Sequence, residues 1–205
     1  MILEKITVGS LEANCYMVGD DDTKEIAVID PGSEEQRLFD IIQRKGYIVK
    51  YIVATHGHVD HISAIRYLKE KTEAPVMIHS NDSEFLMDSK KNLSSLLGFD
   101  SIQVAADMIM EDSMVFSVGQ YDFKVIHTPG HTQGGICILL KHILFSGDTL
   151  FEGSIGRADL PGGNYSQLLQ SIQEKLLVLP EDTIVYPGHG EETTIKQEKA
   201  FNPFL

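Results

Sequence analysis

The six residues His56-Gly57-His58-Val59-Asp60-His61 carry three imidazoles and one carboxylate. They follow directly on the apolar run Tyr51-Ile52-Val53-Ala54. In an extended segment, side chains two apart share a face. His56 and His58 can therefore aim at one point as a strand leaves its sheet. Asp60 and His61 come at the turn into a helix and can reach a second point nearby. Imidazole nitrogen and carboxylate oxygen are donors that zinc, iron and manganese accept. The spacing reads as a metal cradle, with room for two ions. A polar loop with accidental histidines is the competing reading, but three His and one Asp at these offsets are rare by chance.

Three later segments end in the same kind of residue. Val125-Ile126-His127-Thr128-Pro129-Gly130-His131 is an apolar run that turns at Pro-Gly and presents His131. Ile143-Leu144-Phe145-Ser146-Gly147-Asp148 ends in Gly-Asp, and Thr183-Ile184-Val185-Tyr186-Pro187-Gly188-His189 ends in Pro-Gly-His. Each alone is weak, because Gly-Asp after a strand is more often a plain turn. Together they place potential ligands at one end of a sheet, on loops held by a rigid scaffold.

These ordered motifs resemble the metallo-β-lactamase superfamily of metallohydrolases, from Asn14-Cys15-Tyr16 to Gly188-His189-Gly190. Within it the chain is most similar to the short bacterial members of the glyoxalase II branch. The strings Thr55 to His61, His127 to Thr132, Gly147-Asp148-Thr149-Leu150-Phe151 and Gly156-Arg157-Ala158-Asp159-Leu160 carry that similarity. The resemblance implies an α/β fold, a four-layer αβ/βα sandwich of two mixed sheets flanked by helices. It implies that His56, His58 and His131 bind a first metal and that Asp60, His61 and His189 bind a second. Asp148 bridges the two. Asp60 and Asp148 are then the candidate catalytic carboxylates, acting with a metal-bridging hydroxide. The expected cofactors are two divalent ions, zinc first, with iron and manganese as alternatives.

Water bound between two such ions ionises at a pKa of about 7, so no side-chain nucleophile is required. The implied reaction is hydrolysis of an S-(hydroxyacyl)glutathione or a related anionic thioester. Arg157 lies where glyoxalase II has a basic residue that contacts glutathione, and is the candidate substrate contact. A purely structural Arg157–Asp159 link is the alternative for it. The chain departs from glyoxalase II after His189, where Glu191-Glu192-Thr193-Thr194 replaces the basic-aromatic glutathione clamp. Persulfide dioxygenases, which use one iron, share the Gly156-Arg157-x-Asp159 string but typically carry Ala at the position of Gly188. The intact Pro187-Gly188-His189 turn favours two metals and hydrolysis over that oxidoreductase reading. A lactonase is a third option.

The elements that must position these residues are short. Leu3 to Val8, Asn14 to Val18 and Glu25 to Ile29 alternate as strands. Ser33 reads as the N-cap of a helix with Leu38, Ile41 and Ile42 on its apolar stripe and Gly46 ending it. A second helix follows the metal motif, with Ile62, Ile65 and Leu68 at helical spacing. Pro75-Val76-Met77-Ile78 reads as a strand, and residues 81–107 as a helix and loop without clear period. Met114 to Phe151 is strand-rich. Leu168, Leu169, Ile172, Leu176 and Leu177 mark a helix that stops at Pro180, and 191–204 holds a last short helix. His79, His127 and His142 sit at strand ends and take structural or surface roles, with His127 close enough in sequence to lie behind the site.

The 205 residues suffice for one catalytic domain spanning 1–205, and 42% hydrophobic content is ordinary for a globular chain. A net charge of −13 argues against nucleic acid as partner, since phosphate binding needs a basic surface. No apolar run is long enough to span a membrane. Met1-Ile2-Leu3-Glu4-Lys5 is not a signal peptide. Cys15 and Cys137 are the only cysteines and read as small buried hydrophobes. A reduced cytoplasm is the expected compartment, with a small molecule as the expected partner.

Overall fold

The computed structural model describes residues 1–205. Its first half runs β1 (Ile2–Val8), β2 (Ala13–Gly19), β3 (Glu25–Ile29), α1 (Glu35–Lys45), β4 (Ile48–Val53), α2 (Val59–Ile62), α3 (Ile65–Thr72), β5 (Val76–His79), α4 (Ser94–Leu97) and β6 (Met108–Met110). Then come β7 (Val115–Val118), β8 (Tyr121–His127), β9 (Ile136–Leu140), β10 (Ile143–Gly147), β11 (Leu150–Phe151), β12 (Ser154–Ile155), α5 (Tyr165–Ser171), β13 (Ile184–Pro187), β14 (Thr193–Thr194) and α6 (Ile195–Phe201). One six-stranded sheet has the order β1-β2-β3-β4-β5-β6, and the other β14-β13-β10-β9-β8-β7. Both are mixed. β3, β4, β5 and β6 pair in parallel, and β10 pairs in parallel with β13 across the otherwise antiparallel second sheet.

Alternation along the strands builds three apolar layers. In β3, Ala27 and Ile29 face the second sheet, while Ile26 and Val28 face helices α1 and α3. In β9, Ile136 and Ile138 join the central layer, and Cys137 packs outward with Leu168 and Ile172. Strands buried on both faces must be apolar at successive positions, which explains the near-continuous hydrophobic runs. Tyr16, Phe123 and Phe145 fill the layer between the sheets. The result is the αβ/βα sandwich. No helix is long and apolar enough to cross a membrane.

Local readings needed two corrections. Ser33 does not cap α1. Glu34 does, in a left-handed conformation (φ 55°), and its carboxylate accepts from the Gly9 amide at 2.9 Å. The leucine-rich segment after Tyr165 begins as an α-helix and widens into a π-helical turn over Ile172–Leu176. Residues 81–107 hold only part of a 3-10 turn (Ser80–Leu86) and the four-residue α4 between irregular stretches.

Candidate metal centre

Four strands deliver the candidate ligands to one edge of the sandwich. β4 ends at Val53 and releases the segment Thr55 to His61, and β8 ends at His127 and releases the turn to His131. β10 and β13 run parallel with Gly147 opposite Pro187, so Asp148 and His189 emerge side by side. Gly188 N donates to Gly147 O at 2.8 Å, closing that pair of turns. The first sheet reaches across to hold them. Asn14 N donates to Gly188 O at 2.7 Å, and the Tyr16 hydroxyl donates to Pro187 O at 2.6 Å.

The seven sequence-derived residues come together as two trios flanking one carboxylate. Donor atoms of His56, His58 and His131 lie within 4.8 Å of one another, and so do those of Asp60, His61 and His189. Asp148 faces both: Oδ1 is 3.4 Å from His61 Nε2, and Oδ2 is 3.6 Å from His131 Nε2 and 3.8 Å from His189 Nε2. Asp60 Oδ2 is 3.2 Å from His189 Nε2.

Hydrogen bonds on the far sides of the rings set which nitrogens face inward. His131 Nδ1 donates to the Arg157 carbonyl at 2.7 Å, which leaves Nε2 as a lone-pair donor. His61 Nδ1 donates to Asp30 Oδ2 at 3.2 Å. The Thr55 hydroxyl donates to the same Asp30 oxygen at 2.6 Å and can accept from His56 Nδ1 at 3.2 Å. One buried carboxylate thus orients two candidate ligand rings, the usual means of fixing tautomer and direction at a metal site. Asp82 plays a similar part for the loops. Its two oxygens accept from Gly57 N at 3.0 Å and Gly134 N at 2.7 Å, tying the first metal segment to the loop that carries His131.

The donor set fits metal ions. His56 Nε2 and Asp148 Oδ1 are buried without any hydrogen-bond partner, a costly state that a cation relieves. His58 Nδ1 and His131 Nε2 face each other at 2.9 Å, and His61 Nε2 and His189 Nε2 at 3.2 Å. Two imidazole lone pairs at such distances repel unless a proton or cation lies between them. Burial and the neighbouring imidazoles His61, His131 and His58 push the His56 ring well below its ordinary value. Burial and His131 lower His58 to about 3, against the pull of Asp148 and Asp60. Both rings are therefore neutral, the ligating form. Burial pushes the Asp60 carboxyl up, but His61 and His189 outweigh it and hold it well below the usual carboxylate range. Burial also disfavours a charged His61, yet Asp148, Asp60 and Asp30 raise it to about 10, which marks where positive charge is wanted.

Arg157 sits on the wall of the cleft above this cluster, and its side chain forks onto Asp159 at 2.9 and 2.8 Å. The link and the cleft position thus coexist. His79 and His127 lie outside the trios and stack on each other at 4.0 Å between centroids. His127 braces the His131 loop through Nε2, which donates to Gln133 O at 2.9 Å. Sequence reasoning passed over Asp30 and Asp82. In sequence Asp30 is only the first residue of an Asp-Pro-Gly string, and the β3–β4 pairing, which sets it beside Thr55, exposes its role.

A two-sheet αβ/βα sandwich with His/Asp clusters at one edge defines a class of metal-dependent hydrolases, and comparison with known families agrees. Residues 8–189 match the family described as "Metallo-beta-lactamase superfamily", so the chain belongs to that superfamily. It is 37% identical to "Hydroxyacylglutathione hydrolase GloC" of Haemophilus influenzae, over 100% of this chain and 98% of that protein. It is 40% identical to "Probable metallo-hydrolase YqgX" of Bacillus subtilis, over 98% of this chain and 96% of the relative. Among solved structures, BLEG-1 B3 metallo-beta-lactamase superposes with a TM-score of 0.95 at 39% identity, covering 100% of this chain and 99% of that one. A di-iron-bound form of TTHA1623 gives 0.88 at 35% identity, covering 98% and 100%. ETHE1 from Myxococcus xanthus gives 0.82 at 32% identity, covering 99% and 84%. The resemblance to the glyoxalase II branch holds, and the His/Asp clusters in this fold imply divalent metal.

Proposed function

We propose that the chain is a dinuclear metal-dependent thioester hydrolase of glyoxalase II type, with S-(hydroxyacyl)glutathione as its reference substrate. The observation that carries this reading is Asp148, whose two oxygens face two separate trios of ligand-type side chains. The likeness to a hydroxyacylglutathione hydrolase over the whole chain supports the thioester. When bound, two divalent ions, zinc in this reading with iron or manganese as alternatives, would supply Lewis acidity for the carbonyl and lower the pKa of water to about 7.

The residues do the rest. His56, His58 and His131 would hold one ion, Asp60, His61 and His189 the other, and Asp148 both. Asp60 and Asp148 line the floor of the cleft, where their charge would accompany the attacking water. In the balanced reaction, water oxygen bonds to the carbonyl carbon and the carbon–sulfur bond breaks. The products are a carboxylate, a proton and a thiol. Neither cysteine competes as a nucleophile. Both are buried, and burial pushes Cys137 up to about 11 and Cys15 further. Arg157, the one Arg or Lys lining the cleft, would meet the anionic carrier.

The test is cleavage of S-D-lactoylglutathione by the metal-loaded protein, run beside oxygen uptake with glutathione persulfide. Thioester cleavage without oxygen uptake is expected. Oxygen uptake with one iron per chain would replace the hydrolase by the dioxygenase reading, and cleavage of lactones alone would move it to a lactonase.

A further inference from the structure

All three of the chain's exposed leucines, Leu11, Leu96 and Leu97, line a single cleft of about 620 Å³, the one whose floor is Asp60, Asp148 and His189. Exposed apolar side chains scatter singly over most surfaces and mean little. Here they converge on the candidate reaction centre, where buried Leu93, half-buried Phe151 and, flanking Arg157, Ile155 and Leu160 add further apolar lining. Leu96 is 75% exposed and Leu97 47%, so neither supports the core.

The cleft lining is anchored from two directions and is apolar on both, with Arg157 between Ile155 and Leu160. The leucine side hangs from the segment that carries His58 and Asp60, because Val59 N donates to Asn92 O at 2.9 Å just before Leu93. The Arg157 side hangs from His131, through the carbonyl that orients its ring. Arg157 is the only Arg or Lys of the lining, and Asp159 already occupies its guanidinium. Lys5, beside the exit of His189, is held by Glu191 and the Gly190 carbonyl. Away from the candidate metal ligands the lining therefore offers one cationic side chain and a large apolar surface suited to a hydrocarbon.

From this lining we infer that the leucine-rich part of the cleft takes an apolar acyl chain, so that beside the hydroxyacyl thioester the enzyme accepts thioesters of medium-chain fatty acids and favours them as the chain lengthens. The inference rests on the thioester reading above, with the carrier on the Arg157 side. Each methylene buried against the wall raises binding about fourfold. An octanoyl thioester is then cleaved far more efficiently than an acetyl one, until the chain outgrows the cleft.

Two series on the metal-loaded protein test this and keep the two claims separable. The first is kcat/KM for the acetyl, butanoyl, hexanoyl and octanoyl thioesters of N-acetylcysteamine, an uncharged carrier. The second is calorimetric binding of the matching carboxylates, which needs no turnover. Both are expected to climb with chain length. Leu96→Ser combined with Leu97→Ser, two exposed positions whose change leaves the core intact, is expected to flatten both. A flat carboxylate series overturns the inference whatever the enzyme hydrolyses. A rising carboxylate series with no thioester cleaved upholds the apolar subsite and removes the thioester reading. A mass of twice the chain that falls to one chain in the double variant would put a second copy on these leucines and overturn the inference.

Discussion

Gly188→Ala is the sharpest probe of the paired site. The residue has no positive φ, so alanine can adopt its backbone conformation and the cost is steric. A Cβ at position 188 would lie 2.2 Å from Asp148 Oδ1 and 2.8 Å from His61 Cε1. Ordinary contact begins near 3.4 Å, so the carboxylate must retreat by roughly 1 Å. A backbone-borne methyl cannot rotate away. The movable partner is the Asp148 side chain, and the oxygen displaced is the one that faces His61. No donor atom of the His56, His58 and His131 trio appears among the methyl's nearest neighbours. A displacement of this size costs about 10²-fold in rate when it affects reacting groups, and a misdirected ligand costs about 10–100-fold in metal affinity. The variant should therefore retain one metal per chain after dialysis where the parent retains two, and lose about 10²-fold in kcat/KM for thioester. Elemental analysis on the dialysed protein, beside the hydrolysis assay, reads both. Two tightly held metals and an unchanged rate would refute the reasoning.

Three other perturbations separate the remaining roles. Asp30→Asn removes the carboxylate that receives His61 and, through Thr55, His56. Metal affinity should fall about 10–100-fold, measured by chelator titration. Arg157→Ala keeps the main-chain carbonyl that holds His131, so metal content should stay constant while KM for an anionic thioester rises up to about tenfold. Unchanged kinetics would remove the guanidinium from the substrate's path. Cys15 and Cys137 should resist iodoacetamide in the native protein at pH 8, because burial raises both thiols and the thiolate is the reactive form. Mass spectrometry should find two alkylations only after denaturation.

The metal motif was legible because chemistry and spacing coincide in six residues. His56 lies in a bend after β4 rather than on an extended segment, yet it still meets His58 and His131, and the helix start turns Asp60 and His61 toward the same cluster. Asp148 and His189 were weak signals alone, and only the set of strand-end turns and the resemblance assigned them roles. Asp148 comes one residue after β10 and His189 two after β13, and what unites them is the parallel register of these strands, a pairing between segments some forty residues apart. Asp30 was hidden for the same reason, since its importance comes from the neighbouring strand. The Ser33 cap failed where a longer-range contact won, with Gly9 drawing the Glu34 carboxylate and leaving Glu34 to start the helix. Residues 81–107 gave no periodic signal because they form short turns packed on the site rather than an amphipathic element. That stretch nevertheless carries Leu93, Leu96 and Leu97, the side chains that shape the cleft.

The central claim is that two ions share Asp148. Crystals of the metal-loaded protein, measured at the absorption edge of the bound metal, test it most directly. Two anomalous peaks about 3.5–4 Å apart are expected, one among His56, His58 and His131 and the other among Asp60, His61 and His189, each in contact with an Asp148 oxygen. A single peak in fully loaded crystals, or an Asp148 that touches neither ion, would contradict the account.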